Sequence, residues 1–523
     1  MDEKKLDDKR LDEEQGQAVA QTTILSHGLP VFPQPTADPL DPLNWSSVHK
    51  NSILAIVCLK YFLFTYITTT TVPSFPDLQE QYAISYSQVN WTVAIPALGL
   101  AVGPLIWSSF ADIYGRRIVF IIGTVMALAA TIGAAAAPNY GGYMAARFFQ
   151  GLGVSPGATV GLACISDMFF EHERGQKVGI WVLAIDSGLL VGPILGGFLN
   201  VVSAAWIQWF TAILFGVLLI LELAFMPETL YPRHRMLIDA PVSGHNGLSG
   251  RGMEKTRTQG TDASVSELPR TKKLPFVNVV RPVPGMRHPK PWDSVIRFAL
   301  TFKFLAVVVA VLSYCFLWYW WVLSVITMLP AAYLDYTPLI QGLLFIGLLL
   351  GTLFAEICLG GRLSDNLVAR LAKQNGGQRL PEQRLWLAYP GGILTAVGLI
   401  VWGVSIDRAY HWMVGQVAFF LFAAGIQMGN TVVVSYIVDA YPLQSMAMVT
   451  YYAVFLNLSA FINPFFIAPW QASVGWTWCF ATQGIIVAFG ALPVIAALQK
   501  FGPSMRQSNG APIFLNPEHD SAM

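Results

Sequence analysis

Charge is scarce in this chain. Asp, Glu, Lys and Arg make up 12% of its 523 residues, about half the roughly 25% of a soluble domain, which excludes an ordinary water-facing globule. Neither sign is in excess, with 32 Lys plus Arg against 31 Asp plus Glu, so composition advertises no nucleic-acid partner. Cysteine is sparse as well. Cys58, Cys164, Cys315, Cys358 and Cys479 all fall in apolar stretches without CxxC spacing, so no disulfide and no zinc site is expected. The close cluster Glu171-His172-Glu173 is expected in a short loop, capping or solvating a helix end. Walker loops, HExxH and nucleophile elbows are missing, which argues against an enzyme, a cofactor or an ATP-driven pump. Residues 1–50 open MDEKKLDDKRLDEEQ with no apolar core, so no cleaved signal peptide is expected.

Apolar residues are what the chain has in abundance: 54% are hydrophobic, with 32 Phe, 18 Tyr and 16 Trp, and mean hydropathy is +0.52. Long runs carry no formal charge, among them 118–146, 187–221, 304–334 and the sixty residues 440–499. A bilayer-spanning helix needs about 20 such residues. Cutting at Pro, Gly and polar breaks predicts an all-α membrane protein with twelve transmembrane helices, near 52–74, 89–110, 118–137, 142–165, 177–200, 206–226, 303–328, 338–359, 385–406, 411–434, 446–468 and 475–498. Helices are required because unpaired backbone amides are too costly in hydrocarbon.

Basic residues sort by loop. Of the 32, 28 fall in the two tails and the loops after the second, fourth, sixth and eighth spans, and the opposite loops hold only Arg408. Positive loops stay in the cytoplasm, so both termini are expected there. Lys60, Arg147 and Lys303 lie within or at the ends of spans. The chain also divides in two. Residues 227–297 are rich in Gly, Ser, Thr and charge and cannot build a core, so they read as a cytoplasmic linker. It separates a six-helix half at 52–226 from another at 298–499, flanked by cytoplasmic tails at 1–51 and 500–523. Asp112 after the second span and Asp365 after the eighth mark an internal repeat. Six-plus-six halves around a midplane cavity suit a carrier that rocks between two openings.

Several motifs sharpen this reading. After the second span come Ser108, Asp112, Gly115, Arg116 and Arg117; the fourth carries Arg147-Phe-Phe-Gln150-Gly151-Leu-Gly153; the fifth carries Gly179, Gly188, Gly192, Pro193, Gly196 and Gly197. Over about 41–500 the chain resembles major facilitator superfamily transporters of the fungal twelve-helix drug:proton antiporter type. Ser108 and Ile113 depart from its first signature, where Gly and a basic residue stand. The resemblance implies that Asp112, Gly115, Arg116, Arg117 and Asp365 form a cytoplasmic gate, that Arg147 takes part in proton coupling, and that the fifth-helix glycines with Pro193 form an antiporter hinge. Asp41 to Ser46, Pro227-Glu-Thr229 and Ser435 to Tyr441 look like fungal segments whose simplest role is to end or cap helices.

Ionisable residues inside spans are costly and so are site candidates: Lys60, Arg147, Asp186 and Glu356. Asp186 either accepts the coupled proton or is a buried partner for Lys60 or Arg147. Lys60 either attracts an anionic substrate or pairs with a nearby carboxylate. Glu222, near a helix end, is expected to reach the interface. Tyr314, Phe316, Trp318, Tyr319, Trp320 and Trp321 in the seventh span suit flat organic ligands, with at least half expected against lipid. Gln427, Asn430, Asn457 and Asn463 need partners, and some are expected to face the cavity. The expected activity is proton-coupled export of drugs, toxins or a secondary metabolite from a plasma-membrane monomer. Nutrient uptake, of a polyamine, another organic cation or a carboxylate, is the alternative, and a non-transporting sensor a third.

Overall fold

The computed structural model describes residues 38–231, 290–359, 380–441 and 444–509, with short pieces at 25–26, 29–30, 35, 367–368 and 370–371. Most of the N-terminal tail, most of the linker, Asp365 and the last residues of the chain lie outside the described residues.

Apart from a two-residue antiparallel ladder, Leu25–Ser26 with Leu29–Pro30, the described architecture is helical. The first half holds α1 (Ser47–Thr69), α2 (Tyr86–Tyr114), α3 (Arg116–Ala135), α4 (Tyr140–Met168), α5 (Glu171–Asn200) and α6 (Ala204–Phe225). The second holds α7 (Leu305–Ala332), α8 (Pro338–Ile357), α9 (Ala388–Asp407), α10 (Trp412–Ala440), and a continuous stretch of helix that begins at Ser445. That stretch breaks at Gly475, whose φ of 79° is open to a residue without Cβ. The break divides it into α11 (445–474) and α12 (476–509), which gives the expected twelve. Glu171-His172-Glu173 forms the first turn of α5 rather than a loop.

Local chemistry sets the ends. Asp41 caps a 3-10 turn at Pro42–Asn44, Ser46 caps α1, Ser85 and Gln88 form a capping box on α2, and Asn139 caps α4. Between α2 and α3 only Gly115 intervenes, at φ 108°. The amides it leaves at the start of α3 have no cap from their own helix. Glu228, beyond α6, supplies one: Oε1 accepts from Arg116 N at 2.8 Å and Oε2 from Arg117 N at 3.1 Å. A Cβ at position 115 would overlap that carboxylate, so geometry and packing both demand glycine. Burial pushes the Glu228 carboxyl up from its ordinary range, and the amide donors pull it back. Pro227-Glu-Thr229 is thus structural, as expected, although it caps a helix from across the half.

Within the first half α1 packs on α5 and α3 on α4 and α6; within the second α9 and α8 pack on α10. The most extensive packing between the halves is α2 with α11 and α5 with α8. Ile122, Val125, Ile132, Trp206, Ile213 and Ile220 are exposed along α3 and α6, an apolar outer surface suited to lipid. The expectation for the seventh-span aromatics is corrected: Tyr314, Trp318, Tyr319 and Trp321 are buried. They form part of the second half's core rather than facing lipid, because α7 is enclosed by α10, α11 and α12.

Candidate functional site

The charged residues inside the helices sort into three separate places. The first is sealed within the first half. Lys60 on α1 and Glu222 on α6 are both wholly inaccessible and pair at 3.2 Å. Lys60 Nζ also donates to Phe120 O at 2.6 Å and Thr124 Oγ1 at 2.8 Å, and Thr124 donates on to the same Glu222 oxygen at 2.9 Å. The interfacial expectation for Glu222 is therefore overturned. A carboxylate one turn from the helix end is drawn inward because the ammonium already buried there needs a counter-ion. The partner of Lys60 is Glu222, not Asp186.

Arg147 is the second. Also fully buried, it donates to Ile67 O at 2.6 Å and Gln150 Oε1 at 2.8 Å, and to Thr92 O at 3.1 and 3.2 Å. Gln150 continues to Thr131 Oγ1 at 2.8 Å. No carboxylate touches Arg147 among the described residues. Its planar fork instead ties α4 to α1 and α2 through backbone carbonyls, Ile67 O in the last turn of α1 and Thr92 O of α2, which Pro96 leaves without a helical N–H donor.

The third lies between the halves. Asp186 on α5 faces Gln427 and Asn430 of α10 and, beyond them, Glu356 of α8. Gln427 Nε2 donates to Glu356 Oε2 at 2.8 Å and Thr431 Oγ1 to the same oxygen at 3.1 Å. Tyr452 of α11 donates to Asn430 Oδ1 at 2.6 Å. Asp186 lines a cavity of about 30 Å³ together with Leu189, Tyr319, Thr352, Phe422 and Gln427. Its Oδ2 is shut off from solvent and has no hydrogen-bond donor among the described residues. Neither Lys60 nor Arg147 is among the residues lining this cavity. Of the uncharged polar candidates, Gln427 and Asn430 join the site. Asn457 bonds within its own helix, and Asn463 bonds Trp320 O and Ser324 Oγ.

Two further sets surround these centres. At the basic end, Arg116 pairs with Asp112 and, at 3.4 Å, with Asp167 of α4, while Arg117 donates to Leu223 O at 2.9 Å. Ile113, where the resemblance expects a base, is buried. Sequence reasoning missed Asp167, which lies in the last turn of α4, and had Glu228 only as part of a segment that ends or caps a helix, without the helix it caps. Along α5, a Cβ at Gly188 would overlap Phe62 O, one at Gly196 would overlap Thr70 O, and one at Gly192 would come within 2.8 Å of Thr69 Oγ1. Gly197 instead meets α8, 2.8 Å from Pro338 O. Gly179 has room, with Glu356 Oε1 at 3.9 Å. Pro193 lacks the N–H that Leu189 O would accept, and Thr69 Oγ1 of α1 donates to that carbonyl at 2.7 Å.

Twelve apolar helices closing on a small, mostly apolar cavity that carries one carboxyl between two halves define a polytopic membrane transporter rather than an enzyme. The chain belongs to the Major Facilitator Superfamily, which matches residues 57–464. It is 27% identical over 480 residues to "MFS-type efflux pump MFS2" of Trichophyton rubrum, covering 90% of this chain and 75% of that one. It is 27% identical over 465 residues to "MFS-type transporter penM" of Penicillium rubens, covering 88% and 86%. Its fold resembles that of the xylose transporter XylE from E. coli, with a TM-score of 0.56, 14% identity, and 87% and 99% of the two chains covered.

Proposed function

We propose that this protein exports small organic compounds in exchange for protons by alternating access. The carrying observation is Asp186: a carboxyl with an unmatched oxygen, at the cavity between the two halves, on the helix that bears the glycine and proline pattern. Relatives named as efflux pumps support the direction. In this reading residues 52–226 and 298–499 are the rocking units, 227–297 tethers them, and α5 with α8 and α2 with α11 are the surfaces that slide. Asp112, Gly115, Arg116, Arg117 and Asp365 belong to the gate at the basic end. Arg147 influences coupling by holding α1, α2 and α4 in register. The protein works as a monomer in the plasma membrane with both tails cytoplasmic. A cysteine at Glu80 is then labelled from outside intact cells, and one at Gly260 only after lysis.

The direct test is reconstitution into vesicles under an imposed pH gradient. Counterflow of protons and compound is expected, and Asp186→Asn abolishes gradient-driven movement while inserting normally. Co-directional movement would make the protein an importer, and normal transport by Asp186→Asn would remove that residue from coupling.

A further inference from the structure

The cations buried in the first half are matched away from the centre, Lys60 by Glu222 and Arg147 by backbone carbonyls. The central carboxyls are not. Asp186 and Glu356 come from opposite halves, Gln427 reaches both, and among the described residues neither has a basic partner. Aromatic rings gather around Asp186, with Tyr319 lining its cavity. Tyr61 of α1, Tyr314 and Tyr319 of α7 and Tyr452 of α11 are within electrostatic reach of Asp186. Tyr314 stacks on Tyr452 with centroids 6.2 Å apart and lies 5.9 Å from Tyr319. Two π-helical turns, Tyr314–Tyr319 in α7 and Ala355–Leu359 at the end of α8 and just past it, carry Tyr314, Tyr319 and Glu356. Such turns re-aim side chains and gather at functional sites.

This chemistry selects by charge. Ring faces and carboxylates attract an ammonium or other onium group, and the same groups repel an anion. The cavity of about 30 Å³ has room for roughly one water, so the closed state described here is one from which a substrate is excluded. Glu356 stands outside the cavity lining and is half-buried, yet its charge reaches Asp186 past Gln427, and like charges with so little water between them repel. Closure to this substrate-free state is then favoured when a proton neutralises one of them.

We propose that the exported compound is an organic cation, held by Asp186 and Glu356 under the tyrosine rings, and that it and the proton take turns on these two carboxyls. This deepens the export reading and rests on it. Exchange follows from exclusion: the protonated site has no anion left to hold the cation, and the loaded site has none left to hold the proton. The groups facing Asp186 are Glu356 from α8 and the four tyrosines from α1, α7 and α11, with Gln427 and Asn430 of α10 uncharged.

The test uses the purified full chain in detergent with tetraphenylphosphonium and tetraphenylborate, ions of one shape and opposite charge. Phosphonium binding is expected, tightening by up to about tenfold per pH unit as pH rises if one proton is displaced, with no borate binding. Asp186→Asn and Glu356→Gln should each weaken phosphonium binding tenfold or more and flatten its pH dependence, with melting temperature checked against the unaltered chain. If either variant does not fold, the phosphonium and borate comparison on the unaltered chain decides alone. Borate binding equal to phosphonium, pH-independent phosphonium binding, or full binding by a folded double variant would each overturn the proposal. The two readings fail separately. Gradient-driven export of a neutral or anionic compound without phosphonium binding sinks the cation site and leaves export standing. pH-dependent phosphonium binding with no gradient-driven movement of any compound sinks export and leaves the site.

Discussion

Lys60 shows how far a single residue can be read. Its place in an apolar run identifies it as a costly charge that needs a partner, but the carboxylate 162 positions away is fixed only when α1, α3 and α6 pack together. A buried pair is weak evidence for stability in itself, whereas breaking one partner leaves an uncompensated charge at a cost of about 3–5 kcal/mol. Lys60→Met or Glu222→Met alone should therefore lower the thermal stability of the purified protein sharply. The double substitution should recover most of the loss, since the second removal takes away the orphan charge. Equal or additive losses in a double-mutant cycle would show that the pair is not a unit. Arg147 behaves differently because its acceptors are carbonyls. Arg147→Lys retains the charge yet cannot reach Ile67, Thr92 and Gln150 together, so it should destabilise the first half even though no charge is lost. If Arg147→Lys melts like the unaltered chain and changes only the pH profile of transport, the residue acts in coupling rather than as a staple.

At the scale of the element, α5 was legible in its pattern and illegible in its neighbours. Gly188, Gly192 and Gly196 announce close approach, but sequence does not say that α1 takes that face or that Gly197 turns to α8 in the other half. The spacing of small residues specifies a groove, and which ridge fills it depends on the whole bundle. Pro193 offers a sharper case. The carbonyl of Leu189 loses its helical donor and receives Thr69 Oγ1 from α1, so a helix defect becomes a contact between helices. Thr69→Val should cost about 1 kcal/mol of stability by leaving that carbonyl unpaired. In a Pro193→Ala background the alanine N–H can restore the helical bond, and the same valine should then cost much less. Unfolding measurements on the four proteins of this cycle check it; strict additivity would mean that the threonine does not repair the proline's gap. Gly188→Ala should be far more harmful than Gly216→Ala, since a Cβ at Gly188 overlaps Phe62 O and one at Gly216 meets nothing within 4 Å.

For the whole molecule, charge spacing alone led to twelve helices, because hydrocarbon imposes the same length on every crossing. What it could not convey is the state of the carrier, which depends on contacts between halves far apart in the chain. At the basic end, Ser109 of α2 lies 2.6 Å from Ser294 of the short helix Asp293–Thr301 that leads into α7. At the other end, Tyr86 of α2 donates to Thr327 O of α7 at 2.8 Å, and Trp91 of α2 meets Phe465 of α11 with centroids 5.4 Å apart. The halves therefore touch at both mouths, and the small cavity at Asp186 lies between two closed ends. A carrier must break one of these contacts to load and the other to unload. Joining the basic mouth should consequently arrest the cycle without touching the site. In a Ser109→Cys, Ser294→Cys double variant, oxidation should abolish vesicle transport and reduction should restore it, with each single variant unaffected. Persistence of transport after quantitative disulfide formation would mean that the basic mouth need not open, and that the halves do not move as rigid rocking units.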